Sequence, residues 1–81
     1  MPAAAIPEVL PMKISARNTL SGKVVEVHRG ATTSHVVLEI AGGQRLFAAI
    51  TNEAVDDLGL AAGKDATAVI KASDVMVAVE G

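Results

Sequence analysis

Thr51-Asn52-Glu53-Ala54-Val55-Asp56-Asp57-Leu58-Gly59-Leu60 is the stretch where the period of the chain changes. On either side of it, apolar residues recur at every second position. Inside it, Val55 and Leu58 are three apart and share one face of a helix. Thr51 is a good N-cap, and Glu53, Asp56 and Asp57 supply acidic charge near the helix start. Gly59 fits the left-handed position after the last turn, and apolar Leu60 follows it as in a Schellman stop. The stretch predicts a short helix over 52–58, set among strands.

Working outward, the upstream side reads as three strands. Arg45 to Ile50 alternates through Leu46, Ala48 and Ile50, and Ala41-Gly42-Gly43-Gln44 before it is a hairpin signal. Ser34 to Ile40 puts Val36, Leu38 and Ile40 on one face and His35, Val37 and Glu39 on the other. Arg29-Gly30-Ala31-Thr32 is a turn, and Leu20 to Val27 is the first strand. Gly22 inside it signals a bulge or a close backbone approach. Downstream, Ala61-Ala62-Gly63-Lys64 is a turn, Ala66 to Lys71 a fourth strand, and Ala72-Ser73-Asp74 a corner. Val75, Val77 and Val79, alternating with Met76 and Ala78, make a fifth. Three strands, a short helix and two more strands is the order of an all-β, five-stranded OB-like barrel.

The fifth strand is apolar on both faces, so both of its faces call for burial. The chain has 81 residues, enough for one domain, and 51% of them are hydrophobic. That apolar content is mostly Ala and Val, with Phe47 as the single aromatic. Such a chain builds a thin core, and subunit interfaces are expected to supply the missing burial. All three prolines fall within residues 1–11, which read as a flexible extension ahead of one domain over 12–81. Met12 would serve equally as a start.

Composition narrows the function. With no cysteine, disulfides and thiolate metal sites are excluded. His28 and His35 are seven apart with no carboxylate clustered beside them, so no directly ligated metal is expected. Seven Lys and Arg against nine Asp and Glu leave a net charge of -2, no footprint for nucleic acid. No apolar run reaches the roughly 18 residues of a membrane span, and the start is a poor signal peptide. A cytoplasmic, non-enzymatic protein is the expectation: there is no Cys nucleophile, no histidine beside a Ser–acid pair and no Gly-rich phosphate loop.

The concentrated chemistry lies in two short stretches. Ser15-Ala16-Arg17-Asn18 and Ile70-Lys71-Ala72-Ser73 each hold one cation and one hydroxyl beside small residues. Alone, either reads as a polar flank of a strand. Together they read as an anion site, since Arg offers a planar fork for two oxygens and small residues let a ligand approach the backbone.

Lys13-Ile14-Ser15-Ala16-Arg17-Asn18, Gly22-Lys23-Val24-Val25, Gly30-Ala31, Ile50-Thr51, Leu58-Gly59-Leu60, Gly63-Lys64 and Ala68-Val69-Ile70-Lys71-Ala72-Ser73 together resemble the molbindin (Mop) family. These are small molybdate- and tungstate-binding proteins of the TOBE class, and the resemblance runs from about Met12 to Val79. It implies a homohexamer built as a trimer of dimers, with oxyanions held by hydrogen bonds at subunit interfaces and no organic cofactor. It implies one set of sites at Ser15, Arg17, Lys71 and Ser73, with Ala16, Asn18 and Ala72 beside them and the Thr51 to Ala54 loop contributed by a partner chain. It implies a second set near the three-fold axis, lined by Arg29, Gly30, Ala31 and Thr32. Residues 1–11 have no counterpart in the minimal family member, and Ala54 stands where some relatives carry Ser. With one copy and no helix-turn-helix or ATPase motif, the chain looks like a free-standing store for intracellular molybdenum. The alternatives are an oligomerising accessory module without a storage role and an OB-fold nucleic-acid binder; the latter would want stacking aromatics and a basic groove.

Overall fold

The computed structural model describes residues 13–81. The extension expected over 1–11, and Met12, lie outside the described residues. The elements are β1 (Asn18–Arg29), β2 (Thr33–Ile40), β3 (Arg45–Thr51), α1 (Asn52–Leu58) and β4 (Asp65–Ile70). Single 3-10 turns follow at Ala41–Gly43 and Ala72–Asp74. The sheet is antiparallel with strand order β3-β2-β1-β4.

The helix begins and ends where its caps dictate. Thr51 is extended, and its Oγ1 accepts from the Ala54 N–H at 3.0 Å. Gly59 takes φ 65°, and its N–H donates to the Asp56 carbonyl while Leu60 N–H donates to that of Val55. That pair of bonds is the Schellman stop, which spends two of the otherwise orphan carbonyls of the last turn. Val55, the one buried residue of α1, drops into a core made with Val24, Val36 and Leu38.

β1 pairs along its first half with β4, from Asn18↔Ile70 to Lys23↔Asp65, and along its second half with β2, from Gly22↔Ile40 to Arg29↔Ser34. The two ladders overlap at Gly22 and Lys23. There the sheet is tight: a Cβ on Gly22 would lie 2.6 Å from the Glu39 carbonyl oxygen. Gly22 is thus the close approach, and the bulge is elsewhere. The register slips between Val24↔Leu38 and Glu26↔Val37, which makes Val25 the extra residue. Without it Glu26 would face Val36 in the core and Val27 would face out. The slip lets Val24 and Val27, an odd spacing of three, both point inward.

The expected fifth strand is not formed. No strand follows β4 among the described residues, and Val75 to Val79 are all exposed, Met76 by 93% and Val77 by 88%. Period-two alternation supplies strand propensity, but a strand exists only against an edge. Here Asp74 N–H donates to the Lys71 carbonyl and Val75 N–H to that of Ala72, a turn that carries the chain off the end of β4. The architecture is therefore a curled four-stranded sheet with one helix after the third strand, an open OB-like fold rather than a closed five-stranded barrel. Between the inner faces of β3 and β4 remains an apolar cleft of about 390 Å³, lined by Leu46, Ile50, Leu60, Ala66 and Ala68 among others.

Gly22→Val tests the tight crossing. The added side chain must push the β1–β2 ladder apart at the Glu39 carbonyl, and overpacking of this kind costs roughly 1–3 kcal/mol. Urea unfolding should show a clearly lower midpoint. An unchanged midpoint would mean the approach relaxes without cost.

Candidate functional site

The thirteen residues singled out from the sequence fall into two groups, at opposite ends of β1. The first forms at the start of the strand. Asn18↔Ile70 is the last pair of the β1–β4 ladder, and Asn18 Nδ2 donates to the Ile70 carbonyl at 3.3 Å. Asn18 is half-buried and holds the two strands together at this point. Ser15, Ala16 and Arg17 precede it on one strand; Lys71, Ala72 and Ser73 follow Ile70 on the neighbour. Antiparallel pairing thus brings the two polar stretches to one corner of the sheet. Ser15, Arg17, Lys71 and Ser73 are exposed, with Ala16 half-buried between them. Among the described residues no carboxylate pairs with Arg17 or Lys71. Asp74, one residue past Ser73, closes the turn through its backbone N–H, which donates to the Lys71 carbonyl at 2.9 Å.

The second group lies at the far end, a strand of twelve residues away, on the order of 35–40 Å of extended chain. The turn from Arg29 to Thr32 links β1 to β2 there, and Thr51 and Ala54 sit beside it at the start of α1. Arg29 is already engaged: Nη1 donates to Asp56 Oδ1 at 2.9 Å and Nη2 to Oδ2 at 3.4 Å. Its guanidinium braces the helix against β1. The amides of the helix start are partly spent too. Ala54 N–H is taken by the Thr51 cap, and Asn52 N–H donates to the Thr32 carbonyl at 2.9 Å. Within one chain, therefore, Thr51 and Ala54 are neighbours of the Arg29–Thr32 turn and remote from Arg17 and Lys71.

Asn52 is the residue that sequence reading missed. Its Nδ2 donates to the Gly30 carbonyl at 3.0 Å and lies 3.4 Å from that of Ala31, while its Oδ1 accepts from the hydroxyl of Ser34. Ser34 is the buried polar residue of the core and finds its partner there. The available signal was a carboxamide directly after an N-cap, which serves poorly inside a helix and well as a side-chain partner for nearby backbone.

The outer face of the sheet holds a second surprise. His28 stands directly opposite His35 in the β1–β2 ladder, and Glu26 Oε1 is 2.7 Å from His28 Nε2. The histidines do have a carboxylate beside them, contrary to the sequence reading. Residues two apart on a strand share a face, a spacing that Glu26-Val27-His28 displays. Among the described residues, no three His, Cys, Asp or Glu side chains form a group that could hold a metal ion. On the same face Lys23 bonds Asp65 at 2.7 Å. That bond, with the ammonium charge behind it, holds the Asp65 carboxyl below the usual carboxylate range.

Comparison with known proteins shows the family. The family model described as TOBE domain matches residues 14–77, from just ahead of Ser15 to beyond Ser73. The chain is 53% identical over 66 residues to molybdenum-pterin-binding protein 3 of Clostridium pasteurianum, a match covering 82% of this chain and 97% of the relative. MopII from Clostridium pasteurianum has the same fold, with a TM-score of 0.78 at 48% identity over 83% of this chain and 100% of that one. ModG, a cytoplasmic molybdate-binding protein whose structure has molybdate bound, gives a TM-score of 0.78 at 45% identity over 80% of this chain and 46% of its own. A sheet of this order, a capped helix after its third strand and this span of identity put the chain in the TOBE-domain family, as a molbindin (Mop) protein.

Proposed function

We propose that this protein binds molybdate or tungstate as the intact oxyanion, at subunit interfaces of a homo-oligomer, and stores it in the cytoplasm. The observation that carries the reading is the corner where β1 and β4 meet. Two hydroxyls and two cations, Ser15, Arg17, Lys71 and Ser73, emerge there from adjacent strands with no carboxylate paired to either cation among the described residues. A tetrahedral dianion offers four acceptor oxygens and no donor, so it needs a pocket of donors only. Charge-assisted hydrogen bonds contribute roughly 1.5–3 kcal/mol each, and four or five of them support micromolar binding or tighter after the association cost. Relatives named for molybdenum-pterin and molybdate support the choice of anion. The role is one of binding, with no catalysis and no organic cofactor.

One chain supplies only part of this pocket, because Thr51 and Ala54 lie at the other end of β1. A second chain must bring its own Thr51–Ala54 loop to the corner. The reading is a homohexamer, a trimer of dimers, assembled from the domain over 12–81. Assembly also resolves the missing strand. The unpaired Val75–Val79 segment, apolar on both faces, and the open cleft between β3 and β4 are complementary needs, and a closed five-stranded barrel forms when copies satisfy them together. Arg29–Thr32 lines the second set of sites. With one Phe and a net charge of -2, a nucleic-acid partner has no footing, and no helix among the described residues is long and apolar enough to cross a membrane.

Three outcomes are expected. Calorimetry should show Arg17→Ala weakening molybdate binding at the corner by tenfold or more, with Arg17→Lys recovering part of it, since a point charge cannot match two oxygens; wild-type affinity in Arg17→Ala would remove the assignment. Light scattering should give a stable oligomer for the whole chain and a smaller species after removal of residues 75–81; an unchanged mass would break the link between that segment and assembly. In equilibrium dialysis, micromolar molybdate should stay bound against millimolar sulfate, whose shorter bonds to oxygen leave one or two donors of a rigid cage unreached, and tungstate should compete on even terms. Displacement by sulfate at concentrations comparable to molybdate would reduce the site to a generic anion patch.

A further inference from the structure

The turn between β1 and β2 is held from behind by a single side chain. Gly30 N–H donates to the Thr33 carbonyl at 2.8 Å, which closes one side of the turn. The Gly30 carbonyl takes its hydrogen bond from Asn52 Nδ2 at 3.0 Å. The same amide group lies 3.4 Å from the Ala31 carbonyl, and the Asn52 backbone N–H takes the Thr32 carbonyl at 2.9 Å. Three consecutive carbonyls are thus drawn toward one residue. Asn52 is itself anchored by the buried Ser34 hydroxyl.

This arrangement has a stereochemical consequence. All the peptide bonds among the described residues are trans, and in a trans peptide the C=O of one residue and the N–H of the next point opposite ways. Drawing the Gly30 and Ala31 carbonyls inward turns the Ala31 and Thr32 N–H groups outward. Neither amide has an acceptor among the described residues. Two successive outward N–H groups make a concavity suited to an oxyanion. The backbone must act here, because the guanidinium of Arg29 is committed to Asp56.

We propose that Asn52 is the positioning residue of the second oxyanion site: its carboxamide holds the turn so that the Ala31 and Thr32 amides face the anion. The inference rests on the oxyanion-binding reading and deepens it. It moves the donors of the second site from the arginine to the backbone, and assigns their aim to a side chain that does not touch the ligand.

The probe is molybdate itself, added to the assembled wild-type protein. In amide NMR, saturating molybdate should shift the Ala31 and Thr32 N–H resonances downfield, well beyond the shift at Arg29. If both amides stay in place while the protein takes up molybdate, the proposal is overturned without any variant. The Arg17→Ala background isolates the turn. There, Asn52→Ala should weaken the remaining molybdate binding at least tenfold, and Asn52→Asp should do the same, since a carboxylate cannot donate to two carbonyls. In Asn52→Ala the Ala31 and Thr32 amides should lose their molybdate-induced shift while light scattering gives the wild-type oligomer mass, an outcome that general loss of folding would not give. Undiminished binding in the double variant overturns the clamp while leaving the functional reading intact. A wild-type protein that takes up no molybdate brings down that reading, and the clamp with it.

Discussion

The backbone ladder of β1 constrains everything else. This strand is shared: its first half bonds to β4 and its second to β2, with both ladders passing through Gly22 and Lys23. Only a residue without a Cβ fits under the Glu39 carbonyl at that crossing, and only an extra residue at Val25 keeps the next valine inward and the next glutamate outward. Because β1 is long and has different partners at its two ends, it separates the polar stretches it carries. Ser15 and Arg17 meet Lys71 and Ser73 at one end; the Arg29–Thr32 turn meets α1 at the other. A rigid strand between them means that one chain cannot fold the two groups onto one ion.

The two ends treat their arginines differently, and the difference is informative. Arg29 is fixed by a bidentate bond to Asp56, with Arg29 about half and Asp56 about two-thirds exposed. Such a surface pair is worth up to about 1 kcal/mol and mainly orients the helix. Arg17 has no such partner among the described residues, and neither has Lys71. At the corner neither cation has a carboxylate partner among the described residues, and on the proposed reading a bound dianion supplies the counter-charge. On that reading side chains act on the anion at the corner, and backbone dipoles act on it at the turn, where Arg29 is engaged.

Much of this was legible in the sequence, for identifiable reasons. The helix over 52–58 was read to the residue because both of its ends are set by local chemistry, a Thr51 cap and a left-handed Gly59. The first four strands were read to within a residue or two, because one face of each is buried and alternation marks it. The pairing of the Ser15–Asn18 and Ile70–Ser73 stretches followed once β1 and β4 were neighbours. What escaped was whatever depends on a partner rather than a pattern. Val75 to Val79 alternates perfectly and still forms no strand, since propensity does not supply an edge. Gly22 was marked as a bulge or a close approach and is the close approach, while the slip itself lies at Val25, a residue that no composition rule marks. Asn52, Ser34 and the Glu26–His28 contact join residues whose meeting depends on register.

The core is thin, and contacts between copies are a source of further burial. Among the described residues the buried core cluster is Val24, Val36, Leu38 and Val55, and three of the four are valines. Against this the chain exposes Phe47, Met76, Val77 and Val79 almost completely. Burying a side chain of this size is worth about 1.5–3 kcal/mol, so the apolar surface left open holds stabilisation comparable to what the core already provides. A fold in that position gains from any contact that covers its open cleft and its unpaired tail, and its stability then rises with its own concentration. On the proposed reading the anion belongs to the same balance. An ion bridging the Arg17–Lys71 corner of one chain and the Thr51–Ala54 loop of another binds only the assembled state, so it stabilises assembly by the amount that assembly strengthens its binding. Retention and release of the ion are then governed by the interface, and the individual chain needs no moving part to do either.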